Sequence, residues 1–326
     1  MKVVLLDSQI IAGYGYQIEQ GVIEAAGHEF VKETCKNEDE VIEKCADADI
    51  ILNITLRLGE KSISQLKNCK GMIRYGVGVD EFDMDAATRY GIKVCNVSKY
   101  CIEEVAFHAI SLMFACARQL RHFDNCVRKG VWNGDLGKKM FRPSTQTVGL
   151  VGFGNIAKQT AKCLQAFGYQ VVACDPFVPD AVFAGCNVKK VEMDELFKTS
   201  DMISLHNPLT KETEHMIRKE NIDKMKDGVI LVNTSRGPLI KDEDLVEALK
   251  SGKVGAAGLD VMYSEPMKDP NNPYCRLDNV VLTPHIAYRT AEAAADLFKQ
   301  VAETAVEILK GETPYNVLNA KELASK

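Results

Sequence analysis

The sequence has no hydrophobic run long enough to cross a bilayer, and it has only one tryptophan among 326 residues. It also has no large surplus of either charge, because 40 basic residues stand against 45 acidic ones and give a formal net charge of -5. Such a chain has no global attraction for nucleic acid or for an anionic membrane. The first residues form a short apolar strand ending in Asp7, without the longer apolar stretch of a signal peptide. These absences predict a cytoplasmic protein that binds neither nucleic acid nor membrane.

The cysteines are numerous but lack the spacing of a disulfide framework or of a metal site. There are 11, and no two of them form a CxxC motif. Several lie inside apolar runs, where a free cysteine behaves as a small buried hydrophobe. We therefore expect reduced thiols in a reducing compartment and no metal ligands among them.

Short apolar runs alternate with amphipathic stretches along most of the chain. Five such runs fall within residues 1–97, and six more fall between residues 147 and 283. This alternation is typical of βαβ units and predicts parallel sheets. Since 326 residues is about twice the usual size of one domain, we expect two α/β domains.

A glycine-rich turn follows the apolar strand that begins at Thr147. Gly152 and Gly154 open a G-x-G-x-x-A sequence that runs into a helix, where the N–H groups of Asn155 and Ile156 can meet a pyrophosphate. Asp175 stands at the end of the next strand, where an acid binds the adenosine ribose hydroxyls and repels a 2′-phosphate. The pattern predicts a dinucleotide site that prefers NAD to NADP.

Two long helical patterns flank this second α/β region. One covers residues 102–123 and is apolar almost all round, which indicates burial between domains or subunits. The other covers residues 290–309 and carries the chain out of the second region. We expect a discontinuous domain of residues 1–100 and 288–326, with a nucleotide domain of residues 101–287 inserted into it. Both are predicted to be doubly wound parallel-sheet domains of the Rossmann-like or flavodoxin-like kind.

Three polar residues, Arg236, Glu265 and His285, each follow a predicted strand of the second region. An arginine offers a planar, permanently charged fork for a carboxylate, and a histidine beside a carboxylate is suited to give or take a proton. Spacing alone does not place Glu265 next to His285, and an exposed arginine or a satisfied structural histidine fits the same pattern. In the first region, Gly76, Val77 and Gly78 form a turn after a strand, whose free N–H groups would suit a small carboxylate.

Seven segments together resemble the D-isomer-specific 2-hydroxyacid dehydrogenases, over nearly the whole chain. They are Arg74–Asp80, Gly152–Ala157 with Asp175 and Pro176, His206–Thr210, Asn233–Gly237, Gly258–Val261, Glu265 with Pro266, and Thr283–Ala287. The resemblance implies an NAD-dependent enzyme that moves a hydride between the cofactor and a small 2-hydroxy or 2-oxo acid, such as one of hydroxypyruvate, glyoxylate or phosphoglycerate type.

The resemblance also implies roles for individual residues. Arg236 would orient the substrate, and His285, held by Glu265, would protonate the carbonyl oxygen. The residues implied for NAD are Gly152, Gly154, Asn155, Ile156, Asp175, His206, Asn207, Pro208, Thr234, Ser235, Asp260 and Ala287. Those implied for the substrate, in a substrate-binding domain of residues 1–100 and 288–326, are Arg57, Gly76, Val77, Gly78 and Tyr100. Pairing of subunits through the NAD-binding domain, with the helix at 102–123 and Trp132, implies a homodimer or a higher oligomer.

Two questions stay open at the level of sequence. The cations Arg57, Lys99 and Arg289 favour a phosphorylated or dicarboxylic substrate if they reach it, and are solvated surface residues if they do not. A second hypothesis is an NAD(H)-sensing scaffold similar to the C-terminal binding proteins, although no long disordered tail of the kind an interaction hub uses follows the final helix.

Overall fold

The computed structural model describes residues 1–11, 13 and 15–325. The chain divides into two compact units. The first consists of Met1–Cys101 with Thr290–Lys326, and the second consists of Ile102–Arg289.

The first unit is built on a five-stranded sheet in which every pairing is parallel. Its strands are β1 (Lys2–Leu5), β2 (Glu29–Lys32), β3 (Ile50–Asn53), β4 (Gly71–Arg74) and β5 (Lys93–Cys95), in the order β2-β1-β3-β4-β5. The helices between them are α1 (Gln17–Ala25), α2 (Glu38–Cys45), α3 (Glu60–Ile63) and α4 (Met84–Arg89). All four residues of β3 are buried, as expected for the middle of a parallel sheet covered on both faces.

The second unit carries a seven-stranded sheet, again with only parallel pairings. Its helices are α5 (Ile102–Ala117), α6 (Leu120–Arg128), α7 (Asn155–Ala166), α8 (Asp180–Gly185), α9 (Met193–Thr199), α10 (Lys219–Ile222) and α11 (Asp242–Ser251). Its strands are β6 (Thr147–Val151), β7 (Gln170–Cys174), β8 (Lys189–Lys190), β9 (Met202–Leu205), β10 (Val229–Asn233), β11 (Val254–Leu259) and β12 (Val280–Leu282).

The strand order of this sheet is β12-β11-β10-β9-β6-β7-β8. The order reverses between β6 and β9, and the loops that leave the carboxyl ends of these two strands therefore diverge and open a crevice. The predicted fold class, two doubly wound parallel-sheet domains, is confirmed. The short strand β8 had no apolar signal in the sequence because it consists of two lysines.

The final helices return to the first unit as α12 (Ala291–Leu309) and α13 (Ala320–Ala324). Thr290 caps α12, since its side chain accepts a hydrogen bond from the Ala293 N–H at 3.0 Å. This confirms the helical pattern at residues 290–309.

The single helix predicted for residues 102–123 is wrong. The helix is interrupted at Gln119, whose left-handed backbone conformation, with a φ of 51°, separates α5 from α6. The Gln119 side chain donates to the Lys138 carbonyl at 2.7 Å and accepts the Lys138 N–H at 2.7 Å. Helical periodicity in the sequence does not indicate such a partner. The two helices also differ in burial, since seven residues of α5 are buried and none of α6 is.

Most of the cysteines lie in the interior of the protein. All 11 are free thiols, and seven of them are buried. Burial raises the pKa of Cys69 to about 12, which keeps that thiol protonated and unreactive. Among the residues described, no helix combines the length and apolar character needed to cross a membrane.

A buried carboxyl group lies inside the first unit. Glu19 of α1 is fully buried and accepts a hydrogen bond from the Tyr75 hydroxyl at 3.0 Å. Its other oxygen, Oε2, has no partner among the described residues. Burial raises the pKa of Glu19 above its usual 4.5, since water no longer solvates the charge.

We expect Glu19→Gln to stabilise the protein increasingly as the pH rises. A raised pKa means that the folded protein holds the Glu19 proton more tightly than the unfolded protein does. The free energy of unfolding that this proton contributes is complete below the pKa of Glu19 in the unfolded state. It is lost as the pH rises through the pKa of Glu19 in the folded state. Glutamine keeps the acceptor for Tyr75 without the charge. Each unit of pKa difference corresponds to about 1.4 kcal/mol of unfolding free energy. Denaturant titrations at several pH values measure this, with exposed Glu24→Gln on the same helix as the control; a difference from wild type that does not change with pH would contradict it.

Candidate active site

The carboxyl edge of the second sheet begins with the glycine turn after β6. Gly152 has a φ of 88°, and a Cβ atom placed on it would lie 2.9 Å from backbone atoms of His206 and Asn207. Only glycine allows the turns after β6 and β9 to approach this closely. Gly154 then caps α7, whose first residues are Asn155 and Ile156. The first N–H groups of this helix face its amino end, where an anion binds favourably.

Asp175 follows β7 and holds the glycine turn in place. Its Oδ2 accepts the Phe153 N–H at 2.8 Å, and its Oδ1 accepts the Phe177 N–H at 2.9 Å. The carboxylate therefore stands next to the turn, as the spacing predicts. A phosphate brought to the same place would be repelled by this negative charge.

Three buried polar atoms after β9 and β10 lack partners in the described part of the chain. They are His206 Nε2, Asn207 Oδ1 and Thr234 Oγ1. Burial lowers the pKa of His206 to about 4, so its ring is neutral at ordinary pH. Buried polar atoms are normally hydrogen-bonded, and a cluster of unpaired ones along one sheet edge fits a site that a polar ligand completes. The residues present therefore suit a dinucleotide such as NAD.

Two other residues implied for NAD already use their polar atoms within the protein. The Ser235 hydroxyl donates to the Leu205 carbonyl at 2.8 Å and so joins the ends of β9 and β10. The Pro208 carbonyl accepts the Thr213 hydroxyl at 2.8 Å. These bonds fix the shape of the crevice wall.

The structure brings His285 and Glu265 together, which the sequence left open. His285 Nδ1 lies 2.6 Å from Glu265 Oε2, and Glu265 Oε1 accepts the Met262 N–H at 2.9 Å. Burial opposes the Glu265 charge, but the bond to His285 and the positive charge of Arg236 hold the pKa of the carboxyl below its usual value. Because Nδ1 is engaged by the carboxylate, Nε2 is the ring atom left to exchange a proton with a ligand.

Arg236 follows β10, in a loop held by its neighbours. The Asn233 side chain donates to the Arg236 carbonyl at 2.8 Å, and the guanidinium donates to the Ser235 carbonyl at 2.9 Å. The side chain is half-buried. The positive charge of Arg236 helps to lower the pKa of Glu265, so the guanidinium, the carboxylate and the imidazole interact electrostatically.

His285 adopts a left-handed backbone conformation, with a φ of 53°. This conformation is uncommon for a residue other than glycine and persists only where surrounding bonds impose it. Those bonds come from Asp260, whose carbonyl accepts the His285 N–H at 2.8 Å. The Asp260 carboxylate accepts the N–H groups of Ile286 at 3.0 Å and Ala287 at 2.9 Å.

In the first unit, the turn after β4 differs in one respect from the prediction. The Gly76 N–H donates to the Arg74 carbonyl at 2.9 Å, so it is not one of the free N–H groups expected there. The N–H groups of Val77 and Gly78 have no hydrogen-bond partner among the described residues. The Asn96 side chain fixes the turn by donating to the Val77 carbonyl at 2.7 Å.

The remaining candidate substrate residues lie in different surroundings. Arg57 is exposed. Lys99 lies over the Tyr315 ring, 4.0 Å from its centre, and Tyr100 is buried. In the second unit, Arg289 is exposed. No group of three or more histidine, cysteine or acidic side chains among the described residues is placed to hold a metal ion.

The sequence of the second unit matches the family model described as D-isomer specific 2-hydroxyacid dehydrogenase, NAD binding domain, over residues 110–287. The chain is 35% identical over 331 residues to a hydroxypyruvate reductase of Blautia hydrogenotrophica, covering 98% of this chain and 100% of that protein. Its fold is similar to that of a glyoxylate reductase from Paecilomyes thermophila, with a TM-score of 0.87, 30% identity and 98% of each chain covered. It is also similar to a D-lactate dehydrogenase from Aquifex aeolicus complexed with NAD and lactic acid, with a TM-score of 0.83, 28% identity and 96% of each chain covered.

These matches confirm two predictions from the sequence. The family that the seven motifs resemble is the family found, and NAD is its cofactor. The residue that sequence reasoning left without a role is His108, which contacts Thr283 beside Asp260. Its only signal was a histidine on an otherwise apolar helix, which is not specific.

Proposed function

The chain belongs to the D-isomer-specific 2-hydroxyacid dehydrogenase family, and we propose that it reduces a small 2-oxo acid to the D-2-hydroxy acid with NADH. The observation that carries this proposal is the 2.6 Å contact between His285 Nδ1 and Glu265 Oε2, beside the charge of Arg236. It supplies a proton donor and a cation together at the edge of the sheet where ligands of such folds bind. The relatives that match along the chain carry enzyme names, which favours a reductase over a scaffold.

The residues divide the work as follows. The Arg236 guanidinium binds the substrate carboxylate and polarises its carbonyl, because a planar fork can donate to both groups. His285 Nε2 donates a proton to the carbonyl oxygen, while Glu265 holds the ring through its contact with Nδ1. NADH, when bound, would supply the hydride. In the direction of oxidation, His285 Nε2 accepts the hydroxyl proton.

Residues of both units are proposed to take part in ligand binding. We propose that the second unit holds NAD, through the crevice between the turns after β6 and β9, and contributes Arg236 and His285 to the substrate. The Val77 and Gly78 N–H groups of the first unit are further candidate ligands for a substrate carboxylate. We assign Arg57, Gly76 and Tyr100 to the same function, and an exposed Arg57 suits a substrate with a second anionic group.

Mixing the purified protein with NADH and a panel of 2-oxo acids tests the proposal. The panel contains glyoxylate, hydroxypyruvate, pyruvate, phosphohydroxypyruvate and branched and aromatic oxo acids. We expect loss of NADH absorbance with at least one of them and slower turnover with NADPH, because Asp175 repels a 2′-phosphate. Failure of every oxo acid to oxidise NADH, at concentrations where NADH binding is detected, would refute the reductase.

We further propose that the protein is a cytoplasmic homodimer. Large apolar side chains are exposed along one stretch of the second unit: Leu120, Val127, Val131, Trp132, Leu136, Met140 and Phe141. Trp132 is 89% exposed, and α6 has no buried residue. A concentration of exposed apolar side chains normally marks an interface, and the resemblance to the family implies that subunits pair through this unit. The free thiols suit a reducing compartment.

We expect Trp132→Glu to convert the dimer into monomers, since it places a charge where a second copy packs. Light scattering after gel filtration measures the mass of both forms. Phe177→Glu is the matched control, because Phe177 is equally exposed, at 93%, but lies outside the apolar stretch. A wild-type protein that elutes as a monomer, or a dimer indifferent to the change at Trp132, would contradict this interface.

A further inference from the structure

A chain of hydrogen bonds runs from the middle of α5 to the Asp260 carboxylate. His108 Nε2 lies 2.9 Å from Thr283 Oγ1, and Thr283 Oγ1 lies 2.5 Å from Asp260 Oδ1. His108 Nε2 is also 3.5 Å from the same carboxylate oxygen. His108 and Thr283 are 175 positions apart in sequence, and none of the three side chains belongs to the proton-donating pair.

The chemistry of the three groups fixes the direction of each bond. Burial opposes a charge on Asp260, but the nearby His108 ring and the hydrogen bonds that the carboxylate accepts from Thr283, Ile286 and Ala287 hold the pKa of its carboxyl below the usual value. An ionised carboxylate only accepts, so the single proton of the Thr283 hydroxyl points to Asp260. The Thr283 oxygen must then accept from His108. Nε2 of His108 therefore carries a proton.

The close packing of α5 on the sheet makes this chain possible. A Cβ atom added to Gly258 of β11 would lie 2.8 Å from the Leu112 Cβ, so the helix rests directly on the strand at this point. His108 lies one helical turn before Leu112 on the same face. With any larger residue than glycine at 258, the helix would stand further out and the imidazole would lose its reach to Thr283.

We propose that His108 and Thr283 are positioning residues for His285. They act through Asp260, whose carboxylate holds the N–H groups of Ile286 and Ala287 and whose carbonyl holds that of His285. The left-handed backbone of His285 is maintained only while these bonds are in place. The donors on Asp260 thereby set the direction in which His285 Nε2 points. The inference rests on the proposed role of His285 in proton transfer.

His108→Ala and His108→Gln test the inference together. Alanine removes the donor, whereas the Nε2 amide of glutamine can donate from nearly the same place. We expect alanine to lower kcat about tenfold or more, since misplacement of a reacting group by about 1 Å can cost on the order of 100-fold. Glutamine restores most of the rate. Ser111→Ala is the control on the same helix, because its hydroxyl bonds only to the Phe107 carbonyl among the described residues.

A double-mutant cycle separates positioning from simple packing. Thr283→Val also removes the hydrogen bonds that link His108 to Asp260. The double variant should therefore lose little more kcat than the more impaired of the two single variants. Equal reductions in kcat for His108→Ala and His108→Gln would overturn the inference. So would a double variant whose reduction in kcat equals the product of the reductions in the two single variants.

A measurement without substrate completes the test. Nitrogen NMR of the histidine rings, with His108 assigned by comparison with His108→Gln, reports which ring nitrogen carries the proton. We expect the Nε2-protonated form, and an Nδ1-protonated ring overturns the inference whatever the activity. If the wild-type protein reduces no oxo acid while His108 shows the expected tautomer, the proposed function fails and the hydrogen-bond chain stands.

Discussion

Replacing His285 by asparagine is expected to lower kcat by about 10²- to 10⁴-fold while NADH still binds, the range in which general acid–base catalysis contributes. Asparagine tolerates the left-handed backbone that His285 adopts, at a φ of 53°, so the change removes the proton donor with little strain. Steady-state turnover with the preferred oxo acid measures kcat. Titration of protein fluorescence with NADH measures cofactor binding in the same samples.

The control for this variant is His28→Asn. His28 belongs to the first unit, whereas the 2.6 Å pair of His285 with Glu265 belongs to the second, and burial lowers the pKa of His28. Its replacement should leave kcat unchanged. Full turnover by His285→Asn would remove His285 from the mechanism, and loss of NADH binding would assign the residue to the cofactor instead.

Replacing Arg236 by glutamine is expected to lower kcat/KM for the oxo acid by roughly 10²- to 10³-fold. Truncating one partner of a buried, hydrogen-bonded charge pair costs about 2–5 kcal/mol, and each 1.4 kcal/mol is a factor of ten. Lysine at this position keeps the charge but loses the planar fork, so Arg236→Lys should lie between the wild type and glutamine. KM for the oxo acid should rise while NADH affinity stays the same.

Arg218→Gln is the matched control for this loss. Arg218 belongs to the same unit but is exposed, and it pairs with Glu220 at 3.0 Å. Exposed ion pairs contribute at most about 1 kcal/mol, so kcat/KM should remain at the wild-type value. An Arg236→Gln enzyme with unchanged KM for the oxo acid would show that the arginine does not bind the substrate.

Much of the architecture was predictable because its signals are local. Apolar runs buried on both faces identify the parallel strands, and a turn that needs a positive φ, as Gly152 does, marks the start of the dinucleotide crevice. The break at Gln119 was not predictable. Its cause is a pairing with the backbone of Lys138, 19 residues away, which leaves no periodic trace in α5 or α6.

The candidate site was predictable as a set of residues but not as a geometry. The order and spacing of the motifs identify Arg236, Glu265 and His285. They do not show that His285 Nδ1 meets Glu265 at 2.6 Å, or that the Gly76 N–H is already used by the Arg74 carbonyl. Hydrogen-bond partners depend on distances and angles between loops, and sequence separation does not report these.

The fold class, the family and the cofactor can be inferred from the amino-acid sequence, because each depends on residue types at short, regular spacings. Which polar atoms are already hydrogen-bonded, and which remain available to react, depends on the tertiary structure. The tertiary structure packs α5 onto Gly258 and places His108, Thr283 and Asp260 in one chain of hydrogen bonds. The physical reason is that a directional bond forms only where packing brings its donor and acceptor into reach.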